Sequence, residues 1–426
     1  MYEDLKGKKL LIVGSYNESD MVEVAHEMGL YVIVVDNVLD RKVAHAKNVA
    51  DEAWDISYTD IEAVAAKCRE AGVDGVMAGY SEYRIMAAAQ ISKAIGKPFY
   101  ATEEQVDFTR NKRLFQEACA KYGIKTPHGY CTNGLISEEA KDKVEYPVIV
   151  KPADCNGRVG ISVCHDRKQL DEAIELALEK SRTHTYMIED FLDGTEFSAV
   201  YTIKNGEMSL SCLNAKYITK DQRKENFLCD CSIIPAAFVD DFKVQIDAKI
   251  KEFLKGMNAI NGVANFQGMY TDHGIYLFEM GFRVNGNNDY RSIERENGIS
   301  FLKMLISYSL CGDMRDDLKK DNPKFSKYYC TLPFYGHAGT IAKLDIDKVL
   351  KMEDVYLSAM KAEIGNTMTE SGTSGQKLFS FMVVAENMTQ LKERIKKIQE
   401  SITVEDENGN NLVFDFFDPS VLEESI

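Results

Sequence analysis

One segment of the chain reads Tyr146-Pro-Val-Ile-Val-Lys-Pro-Ala-Asp-Cys-Asn-Gly-Arg-Val-Gly-Ile-Ser-Val-Cys164. Its apolar runs, Val148 to Val150 and Ile161 to Val163, are β-branched and bounded by proline and glycine, which predicts two strands. Lys151 ends the first strand beside a loop whose glycines leave backbone N–H groups accessible, and this combination suits a phosphate. It is not a Walker A loop, because no Gly-Lys-Ser/Thr occurs and a strand follows instead of a helix. An ordinary hairpin with a surface lysine is the alternative.

The bulk composition limits the class of protein. A chain of 426 residues is too long for one ordinary core and predicts about two to four domains. The net charge of −16 argues against a nucleic-acid partner, which requires a basic face. No apolar run approaches the roughly 20 residues that cross a bilayer, and the N-terminus lacks the apolar core of a signal peptide. We therefore expect a cytoplasmic protein with no membrane partner, whose dispersed cysteines are free thiols.

The N-terminal residues alternate strands with helices, which predicts a parallel α/β unit. A buried-strand pattern at residues 9–14 is followed by a helix, and the unit resembles half of a Rossmann fold. Gly14 stands alone where G-x-G-x-x-G is expected, so the dinucleotide fingerprint is absent. Ser15 and Glu82 lie in loops after predicted strands, where open α/β sheets commonly bind ligands. Both are candidate substrate contacts, and simple capped turns are the alternative.

A second informative segment is a predicted hairpin at residues 263–283. Asp272-His273-Gly274 indicates a three-residue loop, and if Thr271 pairs with Ile275, the register places Gln267 directly opposite Glu279. Both side chains then share a face with four others, Met269, Thr271, Ile275 and Leu277.

A carboxylate on so apolar a face needs a partner, because burying it alone costs several kcal/mol. Mg²⁺ carried by nucleotide phosphates is a suitable partner for Glu279, with Gln267 as a second oxygen ligand. Arg283 can bind a carboxylate or a phosphate with two parallel hydrogen bonds. A structural Glu279–Arg283 pair is the alternative.

A third segment, residues 187–200, predicts a strand that ends at Glu189, a short connector and a second strand from about Glu196. Such a connector exposes backbone groups that suit the edge of an adenine ring, and Glu196 suits ribose hydroxyls. A solvated acidic turn is the alternative.

In this order, the three segments resemble the ATP-grasp superfamily over roughly residues 1–312. The resemblance implies an ATP-grasp fold of mixed α/β and α+β class, with a Rossmann-like pre-ATP-grasp domain at 1–108. It implies an ATP-grasp domain at 109–312, whose small lid subdomain spans about 125–190. We read residues 313–426 as a separate C-terminal α+β lobe.

The resemblance also implies roles for individual residues. Lys112 and Lys151 match lysines that contact nucleotide phosphates, and the glycine-rich lid matches Asp154 to Gly160. The other implied nucleotide contacts are Gly157, Gly160, Glu189, Phe191, Leu192 and Glu196. Glu279 matches a magnesium ligand, and Arg283 matches the arginine that orients the acyl phosphate or the substrate carboxylate.

Two positions depart from the family pattern. Gln267 stands where a glutamate is usual, and Gly281 stands where an asparagine is usual. A neutral oxygen attracts Mg²⁺ less than a carboxylate does, so we expect one well-held Mg²⁺ (or Mn²⁺) ion instead of two.

The implied reaction is ATP-dependent. A carboxylate is activated as an acyl phosphate and is attacked by an amine or similar nucleophile, releasing ADP and phosphate, with Lys151 and Arg283 as catalytic residues. The partners are then small-molecule substrates, and a homodimer is a family-based expectation. Lys216 and Arg291 are further candidate substrate contacts. A bicarbonate-using carboxylase and a catalytically impaired nucleotide-binding regulator are the alternatives.

Overall fold

The computed structural model describes residues 1–131, 134–153, 159–218, 228–287, 289–315, 318–369 and 374–422. It has the mixed α/β, multidomain architecture that the sequence predicts. Within the described residues, no helix is both long and apolar enough to span a membrane.

The N-terminal unit is a parallel four-stranded sheet in the order β3-β2-β1-β4. Its strands are β1 (Lys9–Val13), β2 (Tyr31–Val35), β3 (Glu52–Trp54) and β4 (Gly75–Ala78). The helices around it are α1 (Ser19–Glu27), α2 (Ala46–Val49), α3 (Ile61–Ala71) and α4 (Glu82–Ile95). The strands are almost wholly buried, as their continuous β-branched runs require when helices cover both faces.

Two helices lead into the next unit. These are α5 (Glu103–Arg110) and α6 (Lys112–Lys121). Thr102 and Gln105 form a capping box at the start of α5. Pro98-Phe99-Tyr100 belong to no strand, and Tyr100 is buried against Phe282, to whose carbonyl it donates a 3.2 Å hydrogen bond.

The small subdomain is a four-stranded antiparallel sheet in the order β5-β8-β6-β7. Its elements are β5 (Gly129–Cys131), α7 (Glu138–Lys141), β6 (Val148–Pro152), β7 (Ser162–Cys164), α8 (Arg167–Lys180) and β8 (Tyr186–Asp190). The face of α8 that carries Leu170, Ala173, Ile174 and Ala177 is buried against the sheet, as its spacing predicts. Lys151 lies near the end of β6, with its side chain at the surface of this sheet.

A large sheet is formed by the residues that follow the small subdomain. Its strands are β9 (Thr195–Lys204), β10 (Glu207–Ile218), β11 (Cys229–Ile234), β12 (Gly262–Thr271) and β13 (Gly274–Gly281). The accompanying helices are α9 (Val239–Phe242), α10 (Ala248–Gly256), α11 (Asp289–Asn297) and α12 (Phe301–Cys311), and a π-helical segment, Lys243–Asp247, joins α9 to α10. α12 packs on β4 of the N-terminal sheet. There, a Cβ on Gly75 would lie 2.7 Å from the backbone oxygen of Ser309, so this approach requires glycine.

The C-terminal residues continue the large sheet. Their strands are β14 (Tyr328–Tyr335), β15 (Gly339–Thr340), β16 (Lys343–Asp345), β17 (Val355–Met360), β18 (Thr367–Met368), β19 (Lys377–Ala385) and β20 (Thr403–Glu405), and their helices are α13 (Asp347–Leu350) and α14 (Met388–Gln399). They have a hydrophobic cluster of their own. Nevertheless β14, β19 and β17 extend one sheet in the order β13-β12-β9-β10-β11-β14-β19-β17. One continuous sheet therefore joins β9 to β13 with the strands of the C-terminal lobe, residues 313–426.

Candidate active site

A cleft of about 3680 Å³ lies between the N-terminal unit, the small subdomain and the large sheet. It is several times larger than the roughly 300–1,000 Å³ of a pocket for one small molecule. Candidate residues from the first half of the chain that line it are Glu82, Lys112, Lys151, Glu189, Phe191 and Leu192. Glu196 also lines it from the first half, and the candidates from the second half are Lys216, Gln267, Glu279, Arg283 and Arg291. Folding thus brings together side chains that are up to about 200 residues apart in sequence.

Lys151 faces the cleft from β6 and forms an ion pair with Glu189 of the neighbouring β8. Glu189 is 2% exposed, and its other carboxylate oxygen accepts a 2.7 Å hydrogen bond from Gln116 of α6. A buried carboxylate needs such partners, since it has lost its hydration. The side chain of Glu189 therefore holds the lysine in place, and the sequence did not indicate this contact or the one from Gln116.

The connector after β8 presents backbone groups to the cleft, but not all of them are available. The Asp190 amide donates to the His128 carbonyl at 2.9 Å, and the Phe191 amide donates to the Pro147 carbonyl at 3.1 Å. Within the described residues, the Leu192 amide has no such acceptor. Of the amides of Asp190, Phe191 and Leu192, that of Leu192 is therefore the one available to an adenine edge.

A polar chain crosses four adjacent strands at the floor of the cleft. Lys216 Nζ lies 3.0 Å from Glu196 Oε1 and donates at 3.0 Å to Gln267 Oε1. Gln267 Nε2 in turn donates to Glu279 Oε1 at 2.6 Å. Direct cross-strand pairing explains two of these contacts, because Lys216 is opposite Glu196 and Gln267 is opposite Glu279. The Lys216 side chain reaches across β9 to Gln267. An ammonium with two carboxylates leaves this floor with a net negative charge, suited to a cation.

The predicted Gln267–Glu279 pair is confirmed, although the turn differs from expectation. Thr271 pairs with Gly274 instead of Ile275, so the loop is one residue shorter than predicted. A register shift beyond Gln267 makes Phe278 an extra residue of β13 and restores the pair.

The same bulge decides which side chains reach the cleft. Ile275 and Leu277 are buried in the core, whereas Phe278 and Glu279 both line the cleft. The expectation that Ile275 and Leu277 share a face with Glu279 is therefore wrong, because a bulge reverses the alternation of a strand.

Glu279 is the side chain best suited to hold a metal ion. Within the described residues its Oε2 accepts no hydrogen bond, and no group of three or more His, Cys, Asp or Glu side chains could hold a metal there. The Gln267 carbonyl oxygen is engaged by Lys216. Reversing the amide would point its NH₂ group at the ammonium, so the orientation is determined. The available oxygen ligand of Glu279 fits a single Mg²⁺ ion whose other ligands come mainly from nucleotide phosphates.

Asn265 occupies the space beside Gly281, where the superfamily pattern has an asparagine. The two residues are cross-strand partners, and a Cβ on Gly281 would lie 3.0 Å from Asn265 Nδ2. Asn265 Nδ2 donates to the carbonyls of Gly281 and Arg283 at 3.2 and 3.0 Å. The asparagine thus fixes the backbone that carries Arg283, a role that the sequence did not suggest.

Arg283 pairs with the N-terminal unit. Its Nε donates to Glu82 Oε1 at 2.7 Å, and Nη1 donates to the Val284 carbonyl at 3.0 Å. The alternative of a Glu279–Arg283 pair is not what the structure has. Glu82 acts as the counter-ion of this arginine, about 200 residues away in sequence.

A second polar cluster on the N-terminal side was not foreseen. Asp20 accepts hydrogen bonds from Tyr80, at 3.0 and 3.1 Å, and from Tyr290, and Arg291 lies 3.5 Å away. Burial raises the pKa of Asp20. The cluster ties α1 to α11 at the wall of the cleft and accounts for the position of Arg291.

Two candidates are not placed as expected, and a third lies outside the described residues. Ser15 is buried, donates to Asp36 Oδ2 at 3.0 Å and is not part of the cleft lining, which contradicts its expected contact with substrate. Gly160 has φ +72° and packs on Pro152, also away from the lining. Gly157 and most of the loop Asp154 to Gly160 lie outside the described residues.

Known proteins resemble this chain in sequence and in fold. A family model described as the D-ala D-ala ligase C-terminus matches residues 119–260. The structure of L-amino acid ligase from Bacillus licheniformis superposes with a TM-score of 0.79 at 17% identity, covering 95% of this chain and 100% of that one. The chain has the ATP-grasp fold.

Two further known proteins are similar to the chain. The biotin carboxylase domain of the Hydrogenobacter thermophilus 2-oxoglutarate carboxylase, solved with MgADP and bicarbonate, has a TM-score of 0.74 at 16% identity, covering 95% of this chain and 91% of that one. The carbamoyl phosphate synthase large chain of Clostridium botulinum is 27% identical over 67% of this chain. The chain spans only 28% of the length of that relative.

Proposed function

We propose that this ATP-grasp protein is an ADP-forming ligase. In this proposal, ATP phosphorylates a substrate carboxylate, and an amine or similar nucleophile then displaces the phosphate to form a carbon–nitrogen bond. The observation that carries the proposal is the convergence of Lys151, Glu279 and Arg283 on one cleft from β6, β13 and the residues after β13.

Each of these side chains has a part in phosphoryl transfer. Lys151 and Lys112 offset charge on the nucleotide phosphates, since this transfer depends on positioning and electrostatic stabilisation. Glu279 would hold Mg²⁺ (or Mn²⁺), with Gln267 at most a weak second ligand, and the ion would neutralise phosphate charge. Arg283 binds the reacting carboxylate through the part of its guanidinium that Glu82 does not use.

The ion pairs of the site support this assignment. Lys151, Lys216 and Arg283 each contact a carboxylate of the chain itself. These carboxylates hold the cations in place and compensate their charge before an anionic ligand arrives. Arriving phosphates therefore find a site that needs little reorganisation.

The test incubates the full-length protein with ATP, Mg²⁺ and pooled carboxylic acids and amines, with ADP release and mass spectrometry as readouts. The proposal expects ADP release that requires an organic acid, together with an amide-type product. ADP release with bicarbonate alone would favour the alternative function of a bicarbonate-using carboxylase. The structural similarity to a biotin carboxylase domain is the reason for considering that alternative. Tight binding of Mg-ATP without turnover would favour the regulator.

The variants Lys151→Ala and Glu279→Ala should each lower turnover by at least about 100-fold. Lys151→Ala leaves Glu189 buried without its ion-pair partner, which should cost about 3 kcal/mol of stability, so rates are compared well below its unfolding temperature. Lys397→Ala, on the exposed face of α14, is the matched control and should keep wild-type turnover. Wild-type rates in either active-site variant would contradict the assignment.

A further inference from the structure

Two lysines lie at the far end of the cleft, on the C-terminal lobe. Lys377 begins β19, and Lys361 follows β17 directly, with its backbone amide 2.9 Å from the Leu378 carbonyl. Both line the same cleft as the candidate nucleotide site. Lys216 is on β10 and Lys377 is on β19 of the same sheet, and β11 and β14 lie between these two strands.

These lysines differ from the cations at the nucleotide end. In the part of the chain that the structure describes, neither forms an ion pair or a side-chain hydrogen bond, although Lys151, Lys216 and Arg283 each contact a carboxylate. Glu363, which also lines this end of the cleft, is exposed and pairs with neither.

The local electrostatics are unfavourable without a ligand. Burial, together with the charge of Lys361, lowers the pKa of Lys377. A half-buried ammonium beside a second one costs stability, and an anion between them would remove that cost. Ser358 and Ser380, whose hydroxyls are hydrogen-bonded to each other at 2.8 Å on the neighbouring strands, also line the cleft there.

We propose that Lys377 and Lys361 form a subsite for a carboxylate or phosphate group carried by the second substrate. This inference rests on the proposed function, and it adds the substrate class: an extended anion whose charged group lies remote from the reacting end. Three strand-to-strand steps of about 4.8 Å each separate β10 from β19, so the anionic group lies well away from Lys216 and the nucleotide phosphates. The large volume of the cleft leaves room for such a molecule beside ATP.

The test is a calorimetric titration of the full-length protein, saturated with Mg-ADP, against inorganic phosphate and, separately, against glutarate. The wild type should bind one of the two at a single saturable site, and the one that binds distinguishes a phosphate group from a carboxylate. Lys377→Met should weaken that binding by about tenfold or more, the loss expected for one hydrogen bond to a charged group. Lys397→Met, which removes an equal charge outside the cleft, should leave binding unchanged.

Stability provides a second readout. Lys377→Met should keep or raise the melting temperature, because it removes an uncompensated charge, whereas loss of a merely structural lysine would lower it. Equal binding in wild type and Lys377→Met, or no saturable binding of either anion, would overturn the inference. The proposed ligase activity is tested independently of the subsite. If the protein is not a ligase, it will show no acid-dependent ADP release, and the titration will still show whether the subsite binds an anion.

Discussion

Gln267→Glu restores the residue that the superfamily pattern leads one to expect at the floor of the cleft. In the structure, Gln267 donates to Glu279 at 2.6 Å and accepts from Lys216 at 3.0 Å. The substitution keeps the contact with Lys216 but replaces the donor facing Glu279 by an acceptor. The local net charge of one ammonium and two carboxylates, +1 − 2 = −1, becomes −2.

The size of the effect without metal follows from two terms. Repulsion between the new carboxylate and Glu279 is about 4 kcal/mol at 4 Å and an effective dielectric constant of 20, and attraction to Lys216 offsets it by a similar amount. The lost hydrogen bond to a charged acceptor then dominates, at roughly 1.5–3 kcal/mol. Without metal, the variant should therefore unfold about 2 kcal/mol more easily than the wild type.

With metal the sign reverses, because two carboxylates bind Mg²⁺ better than a carboxylate and an amide do. We expect at least about a tenfold gain in Mg²⁺ affinity, equivalent to 1.4 kcal/mol. Denaturant unfolding without metal and a calorimetric Mg²⁺ titration with a nonhydrolysable ATP analogue measure the two effects. Gln267→Met, which loses the hydrogen bond without adding charge, is the control. Unchanged or weaker Mg²⁺ affinity in Gln267→Glu would refute the reasoning.

Two further predictions concern other carboxyl groups. Glu82→Gln keeps a hydrogen-bond acceptor for Arg283 but removes the counter-charge, so turnover should stay within a few-fold of wild type. Glu82→Ala removes the acceptor and frees the guanidinium, so it should lower kcat by about tenfold or more. Identical kinetics in the two variants would contradict a positioning role for Glu82. Burial and the nearby Asp415 raise the pKa of Asp230 to about 7. The folded state therefore binds this proton more tightly than the unfolded chain, and the stability that the proton confers is present at pH 4 and is lost as the pH rises to about 7. Asp230→Asn should accordingly stabilise the protein by roughly 1–3 kcal/mol at pH 8 and little at pH 4, as measured by denaturant unfolding. Equal stabilisation at both pH values would show that the raised pKa of Asp230 is not the cause.

The class of fold follows from local sequence patterns. The buried β-branched runs of the N-terminal sheet, the amphipathic face of α8 and the capping box of α5 each depend on neighbours within a few residues. Propensity and periodicity act over that distance, so these elements are predictable. The strand–loop–strand segment with Lys151 and the hairpin with Glu279 also depend on local pattern, and their order along the chain is typical of the superfamily.

The predicted pairing of Gln267 with Glu279 is correct because two departures from the expected hairpin offset each other. The turn is one residue shorter than its sequence indicates, and the bulge at Phe278 corrects the register. A hairpin's own sequence does not determine a bulge of this kind, because packing of Ile275 and Leu277 into the core decides where the extra residue is accommodated.

Local sequence sets the elements and the chemical types of the candidate residues: a lysine at a strand end, a carboxylate on a hairpin and an arginine beyond it. Their partners depend on packing between distant parts of the chain. Glu189 neutralises Lys151, Glu82 neutralises Arg283, and the strands of the C-terminal lobe extend the same sheet so that Lys377 shares its cleft. The physical reason is that ion pairing acts through space between groups within a few ångströms, and residues far apart in the chain reach that distance only when the core has packed.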